Sequence, residues 1–278
     1  GGRKGRAEYL EGPRIPRSHF LDLEDIVTSK ALYPDLNPKD LYSTFPPPSL
    51  FAATMDAMGV TQDKQVIVYG RQGCHFTPRT WYLIRTYGGP NQRVGLMQGS
   101  LDEWIELGGE VDATPMESYD VWAKDLFHKA DEAAYPVAND AKERFVDMMQ
   151  VVEMIEQNGD EDTAQPKTNI IDTRGSSFAS KGHMPGATHV PYSSLTESDN
   201  SLKLKPAEDL RAILKDAGIG EPDDKSKVLL TCGSCVSVCH VALAMEECGY
   251  DKPLLYDGSW NEYGRDPDTP KIVPDSSN

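Results

Sequence analysis

Apolar residues in this chain fall into two recurring patterns. Short continuous runs, clearest at Val66-Ile-Val-Tyr69 and Val228-Leu-Leu-Thr231, are bounded by turn residues. They have the length and β-branched content of strands buried on both faces, as in a parallel sheet. A helical pattern follows each run. The first is Pro78-Arg-Thr-Trp-Tyr-Leu-Ile-Arg-Thr-Tyr87, closed by Gly88. The second begins after Ser234, with Val238, Val241, Ala242 and Met245 at helical spacing and Gly249 as its stop. Each helix leads to another apolar strand, Val94 to Met97 or Leu254 to Tyr256. Matching turns come next: Gln98-Gly-Ser-Leu-Asp-Glu-Trp104 against Asp257-Gly-Ser-Trp-Asn-Glu-Tyr263. Upstream, Arg14-Ile-Pro-Arg-Ser-His-Phe20 parallels His183-Met-Pro-Gly-Ala-Thr-His189. An offset of roughly 160–170 residues is far above solenoid periods and predicts tandem domains. Strands alternating with helices predict an α/β fold, each domain a mainly parallel sheet flanked by helices.

The boundaries follow from where the patterns lapse. A first domain covers residues 1–111. Residues 112–139 lack a clear period, hold Pro115 and Pro136, and are expected to be the inter-domain linker. The second domain covers 140–264; it opens with a helix from Ala141 to Gln157, then an exposed acidic turn, Asn158-Gly-Asp-Glu-Asp. The Pro- and Asp-rich tail, 265–278, is expected to be poorly ordered. The symmetry fails once. Asn169-Ile-Ile-Asp-Thr-Arg174 opens the second sheet, but its counterpart near residue 1 reads Gly-Gly-Arg-Lys-Gly. The first domain is therefore expected to lack its opening strand.

Composition narrows the function classes. The chain has 278 residues, enough for two ordinary domains, and a net charge of -16. Such a surface repels nucleic acid and anionic lipid, and no apolar stretch reaches the length of a membrane span. A site for a small anion would have to be made positive locally, by backbone dipoles and one or two arginines. The five cysteines are an odd number, and Cys232, Cys235, Cys239 and Cys248 crowd into one loop and its helix. That suits a reducing compartment, cytoplasmic or mitochondrial, rather than a disulfide framework.

Candidate chemistry centres on Cys232, which ends an apolar strand and precedes a helix N-terminus. Unpaired N–H groups gather there and favour an anion, so a thiolate is stabilised and becomes a nucleophile. The plainer alternative is a buried structural cysteine. Cys232-x-x-Cys235 also admits a redox dithiol, or a Cys235 that resolves a persulfide or sulfenic acid on Cys232. A zinc site from Cys232, Cys235, Cys239 and His240 lacks a second ligand pair at suitable spacing. A cysteine phosphatase would need a loop-closing arginine where Val238 stands. A non-catalytic binding module is the remaining class.

In combination, Glu8-Tyr-Leu-Glu-Gly with Ile15-Pro16, Gly182-His-Met-Pro-Gly-Ala187, Cys232-Gly-Ser-x-Val-Ser and Tyr256-Asp-Gly-Ser-Trp260 resemble tandem-domain rhodanese-type sulfurtransferases. The resemblance covers nearly the whole chain and is closest to the 3-mercaptopyruvate branch. It implies a silent first domain, consistent with Gly70 standing opposite Cys232 in the repeat, and a second domain that carries sulfur as a Cys232 persulfide. The donor would be a small molecule, 3-mercaptopyruvate or alternatively thiosulfate. The acceptor would be cyanide or a thiol such as thioredoxin or glutathione, with no cofactor and no metal. Gly233, Ser234, Cys235, Val236 and Ser237 would bind substrate and cradle the persulfide. Thiosulfate enzymes typically place basic side chains after the cysteine, whereas Gly233 and Ser234 are small and neutral. Arg174 resembles a carboxylate-binding arginine of the family; the alternative for it is a salt bridge to a neighbouring acid. The chain departs from the family pattern at Cys235, where Gly is usual. It also departs in lacking a second arginine in Gly175-Ser-Ser-Phe178, and at Asp35, which aligns with a histidine.

Overall fold

The computed structural model describes residues 4–119, 121, 123–160, 167–197, 200–222 and 226–274. The chain divides into two compact units, Gly1–Ala138 and Asn139–Asn278. Of the acidic turn expected at 158–162, Asn158 and Gly159 close a helix and Asp160 follows it, while Glu161 and Asp162 lie outside the described residues.

The first unit contains α1 (Gly5–Glu11), α2 (Pro48–Ala57), β1 (Val66–Val68), α3 (Thr77–Tyr87), β2 (Val94–Leu96), α4 (Leu101–Glu106) and α5 (Ala123–Phe127). β1 and β2 pair in parallel, Val66 opposite Val94 and Val68 opposite Leu96. Among the described residues no strand precedes β1, and Gly5–Glu11 is helical. Pro78 sits in the first turn of α3, where its missing N–H costs nothing. Trp81, Tyr82, Leu83 and Ile84 of that helix are buried.

Residues 112–138 do not form a free linker. Arg14 and Asp112 make an antiparallel bridge, closed by an Arg14 Nη2–Asp112 Oδ2 ion pair of 3.0 Å. The Tyr119 hydroxyl donates to Asp25 Oδ2 at 2.8 Å, and that of Tyr135 to Gln92 Oε1 at 2.8 Å. Tyr119, Val121, Leu126 and Tyr135 are all buried within the first unit. Their spacing follows neither a helical nor a strand period, so the segment looks like a connection while contributing to the core.

The second unit runs β3 (Phe145–Val146), α6 (Met148–Gly159), β4 (Asn169–Asp172), α7 (Ser177–Ser180), β5 (Thr188–His189), β6 (Thr196–Glu197) and β7 (Asn200–Leu204). It continues with α8 (Ala207–Asp216), β8 (Val228–Thr231), α9 (Val238–Glu247), β9 (Leu254–Tyr256) and α10 (Ser259–Tyr263). Its main sheet has the order β3-β9-β8-β4-β5, with every pair parallel. β8 is thus the central strand, flanked by β4 and β9. One face carries Val146, Ile170, Leu229 and Tyr256, packed with Val151 and Ile155 of α6 and Tyr263 of α10. Alternation sends Ile171, Leu230 and Leu255 to the opposite face, and all three are fully buried. α9 packs against β8, with every residue from Val238 to Met245 buried. Each such aliphatic side chain contributes about 1.5–3 kcal/mol by leaving water. The continuous apolar run of β8 is what a strand covered on both faces requires.

Two expectations for this unit are corrected. The helix expected from Ala141 is split: a 3-10 turn, Ala141–Arg144, comes first, Phe145 and Val146 then pair with Leu255 and Tyr256 as an edge strand, and the α-helix begins only at Met148. Asp147 then caps α6: its Oδ1 accepts from Gln150 N at 2.9 Å, and Gln150 Oε1 accepts from Asp147 N at 2.9 Å. The tail is also packed as far as it is described. Ile272 bridges to His183, and the Tyr263 hydroxyl donates to Pro270 O at 2.8 Å. The Arg14–Asp112 and His183–Ile272 bridges occupy corresponding places in the two units, so the repeat extends beyond the segments legible in sequence.

The cap gives a test with a definite sign. Replacing Asp147 by Ala should destabilise the protein by about 0.5–2 kcal/mol in urea unfolding, the usual loss for an N-cap. A helix running from Ala141 would instead place Asp147 in its interior, where Ala is the better residue and the same change would stabilise.

Candidate active site

β8 ends at Thr231, so Cys232 emerges at the carboxyl end of the central strand, the position where open α/β sheets bind ligands. Five loop residues, Gly233 to Ser237, then lead into α9. Cys232 is 2% exposed and Cys235 fully buried, whereas Gly233, Ser234, Val236 and Ser237 are half-buried. A Cβ added to Gly233 would meet nothing within 4 Å, so this side of the loop is open.

The loop is strapped from beneath by the turn after β9. Ser259 Oγ accepts from the amides of Cys232 (3.4 Å) and Cys235 (3.1 Å) and donates to Tyr256 O at 2.9 Å. Trp260 N donates to Cys232 O at 2.9 Å, and Asn261 N to Gly233 O at 3.0 Å. Ser259 is wholly buried with φ +51, a backbone conformation uncommon for a residue with a Cβ. Below it, the Tyr256 hydroxyl donates to Glu262 Oε2 at 2.8 Å. Burial, reinforced by the Glu262 carboxylate, pushes the Tyr256 phenol far up, so it remains a neutral donor.

This arrangement divides the loop's donors. The Cys235 amide, expected to serve the anion cradle, is spent on Ser259. Among the described residues, the amides of Gly233, Ser234, Val236, Ser237 and Val238 have no protein acceptor. No side chain caps α9; the Ser237 hydroxyl is held instead by Thr173 Oγ1 at 2.8 Å. Unspent amides following a cysteine at an uncapped helix start are suited to stabilise a sulfur anion.

Arg174 follows β4, the other neighbour of β8, and its guanidinium is largely committed. Nε lies 3.0 Å from both Asp172 oxygens, and Nη2 donates to Asp172 Oδ2 at 2.7 Å and to Gly182 O at 2.8 Å. Nη1 makes a single long contact, 3.4 Å to Ser177 O. The guanidinium carbon stands 4.5 Å from the Trp260 ring centroid. The salt-bridge alternative is therefore what the geometry displays, and Nη1 is the edge left for a ligand. His189 Nε2 donates to Arg174 O at 2.6 Å. Phe178 is stacked between His183 (4.1 Å) and His189 (4.4 Å). Asp172, Thr173 and Ser259 escaped the sequence reading. A clue to the last was available in the repeated Gly-Ser of the two turns.

The remaining cysteines lie apart from this chemistry. Cys239 is buried within α9. Burial raises the Cys248 thiol, whose Sγ donates to Ala207 O at 3.6 Å. Cys74 is half-buried in the loop of the first unit, where its amide donates to Arg71 O at 3.0 Å.

Comparison with known proteins places this geometry. Residues 151–266 match the Rhodanese-like domain family. The chain is 28% identical over 267 residues to thiosulfate sulfurtransferase of Gallus gallus, spanning 94% of this chain and 81% of the relative. It is also 28% identical over 268 residues to 3-mercaptopyruvate sulfurtransferase of Escherichia coli K12, spanning 95% and 84%. The crystal structure of SseA from Escherichia coli, described as a 3-mercaptopyruvate sulfotransferase, superimposes with a TM-score of 0.69 at 26% identity, covering 91% of this chain and 86% of that one. Tum1 of Saccharomyces cerevisiae shares the fold with a TM-score of 0.68. Coverage of this extent takes in both units: the chain is similar over nearly its whole length to these sulfurtransferases, and its second unit carries the match to the Rhodanese-like domain family.

Proposed function

We propose that this protein moves sulfane sulfur from 3-mercaptopyruvate, in preference to thiosulfate, to a thiol or cyanide through a persulfide on Cys232. The observation that carries the reading is Cys232 at the end of β8, followed by a loop whose free amides belong to an uncapped helix start. The Cys232 thiolate attacks the donor's sulfur. The carbon–sulfur bond breaks, its electron pair leaves as the enolate of pyruvate, and that enolate is then protonated. An acceptor thiolate takes the outer sulfur and regenerates Cys232, which makes the cycle ping-pong. Amides aimed at the persulfide act where charge resides in the intermediate and require no reorganisation. The acceptor is a cellular thiol of the thioredoxin or glutathione class. The compartment is a reducing one, cytoplasmic or mitochondrial; one relative, from Arabidopsis thaliana, bears "mitochondrial" in its name.

The donor preference rests on Gly233 and Ser234, which offer no charge to a compact dianion, and on Arg174 Nη1, which can meet a carboxylate. Matched steady-state assays should give a kcat/KM for 3-mercaptopyruvate above that for thiosulfate, and the reverse order would overturn the preference. In the same assays, Arg174→Lys should raise KM for 3-mercaptopyruvate on the order of tenfold or more. Its effect on thiosulfate, which has no carboxylate, should be smaller. Equal losses with both donors would assign Arg174 to holding the loop alone.

Ser259 governs the shape of the cradle. Ser259→Ala strands two buried amides and one carbonyl, which should cost about 1–3 kcal/mol of stability in thermal or urea unfolding. It should also lower kcat on the order of 10- to 100-fold through misplacement of Cys232. An unchanged kcat in the folded variant would remove the strap from the mechanism.

A further inference from the structure

The persulfide cycle uses one of the two thiols in the loop. Cys235 is left over. It is wholly buried, three residues from Cys232, and its amide shares the Ser259 hydroxyl with the Cys232 amide. One oxygen thus gathers both cysteine backbones on the same side of a tight loop. Cys235 also adopts φ +54, a left-handed conformation that glycine takes freely and a residue with a Cβ takes at a cost. The thiol carried at this position is closed to solvent and lies in the same short loop as the Cys232 thiol. The other buried thiols of the unit lie outside this loop: Cys248 follows α9 and donates to Ala207 O, and Cys239 lies within α9.

We propose that Cys235 is an internal acceptor, which discharges the Cys232 persulfide as sulfide and leaves a Cys232–Cys235 disulfide. The inference rests on the persulfide reading above and names the fate of its sulfur. Cys235, as thiolate, attacks the inner sulfur of the persulfide, Cys232 Sγ. The Cys232 Sγ–outer sulfur bond breaks as the Cys232–Cys235 bond forms, and the outer sulfur departs as hydrosulfide, which carries the proton given up by Cys235. The sulfane sulfur gains two electrons, and the two cysteines lose them, so no outside oxidant is required. A dithiol reductant then supplies two electrons to reopen the disulfide. A monothiol or cyanide would receive sulfur only by reaching the persulfide before Cys235 does. The pair thereby makes the enzyme a sulfide-releasing device coupled to a dithiol, with sulfur transfer as the competing branch.

The test is one turnover without added thiol. Reduced, desalted protein receives one equivalent of 3-mercaptopyruvate, and released sulfide, pyruvate and peptide masses are measured. The wild type should release about one sulfide per chain and yield a loop peptide two hydrogens lighter, with Cys232 joined to Cys235. Cys235→Ser should release pyruvate but no sulfide, and keep one extra sulfur on Cys232. Cys235→Gly, which also relieves the φ +54 backbone, should behave like Cys235→Ser and guards against a folding defect in that variant. Wild-type protein that keeps the extra sulfur and releases no sulfide would overturn the internal acceptor while leaving the persulfide intact. No pyruvate and no added sulfur in any of the three proteins would overturn the persulfide reading and this inference with it.

Discussion

The hydroxyl of Ser259 is the interaction on which the rest of the site depends. It sits at the start of α10, fully buried, and joins three backbone groups from two parts of the chain: the Cys232 and Cys235 amides of the loop and the Tyr256 carbonyl at the end of β9. A loop of small residues has no core of its own and would otherwise sample many shapes. Two amides on one oxygen fix its curvature, and the bonds from Trp260 N and Asn261 N to the loop carbonyls fix its height. The donors not used in this way, from Gly233 to Val238, are the ones the proposed cycle assigns to the sulfur. The scaffold satisfies the groups it needs for shape and leaves these without a protein acceptor among the described residues.

That scaffold is rigid because β8 lies at the centre of a five-stranded parallel sheet. Both faces of β8 are covered and both of its edges are paired, so its carboxyl end is among the most constrained points of the unit. β4 delivers Asp172, Thr173 and Arg174 beside it. Breaking the buried Arg174–Asp172 pair would leave an uncompensated charge, with a cost of about 3–5 kcal/mol. Arg174 in turn supports Trp260 through its guanidinium face. The residues that shape the site thus come from the ends of three adjacent strands and the turns that follow them. The first unit repeats the strand–helix–strand–turn order around β1 and β2, but Gly70 stands where a nucleophile would be.

Much of this was legible in the sequence where one local signal sufficed. The apolar run Val228–Thr231, the small-residue loop and the period of Val238, Val241, Ala242 and Met245 specified a buried strand, a turn and a helix around Cys232. Signals failed where the deciding contact was distant. Ala141–Arg144 has good helix formers, yet only two residues, Phe145 and Val146, make the edge strand with β9, and pairing over a hundred residues away leaves no local pattern. Tyr119, Leu126 and Tyr135 carry core contacts without periodicity. The packed tail depends on the bridge between His183 and Ile272. Ser259 reads as an ordinary turn serine; its role exists only because the loop 27 residues earlier in the chain folds back over it. The sequence places the Cys235 amide in the cradle because it cannot show which donors are already spent.

In the proposed cycle Cys232 carries sulfur against the unspent amides of its loop. A crystal structure of the Cys235→Ser protein after a brief soak with 3-mercaptopyruvate tests it most directly. One extra sulfur is expected on Cys232 Sγ, within about 3–4 Å of amide nitrogens drawn from Gly233 to Val238, with the Ser259 strap in place. Pyruvate released with Cys232 unmodified, or the extra sulfur on another cysteine, would contradict it.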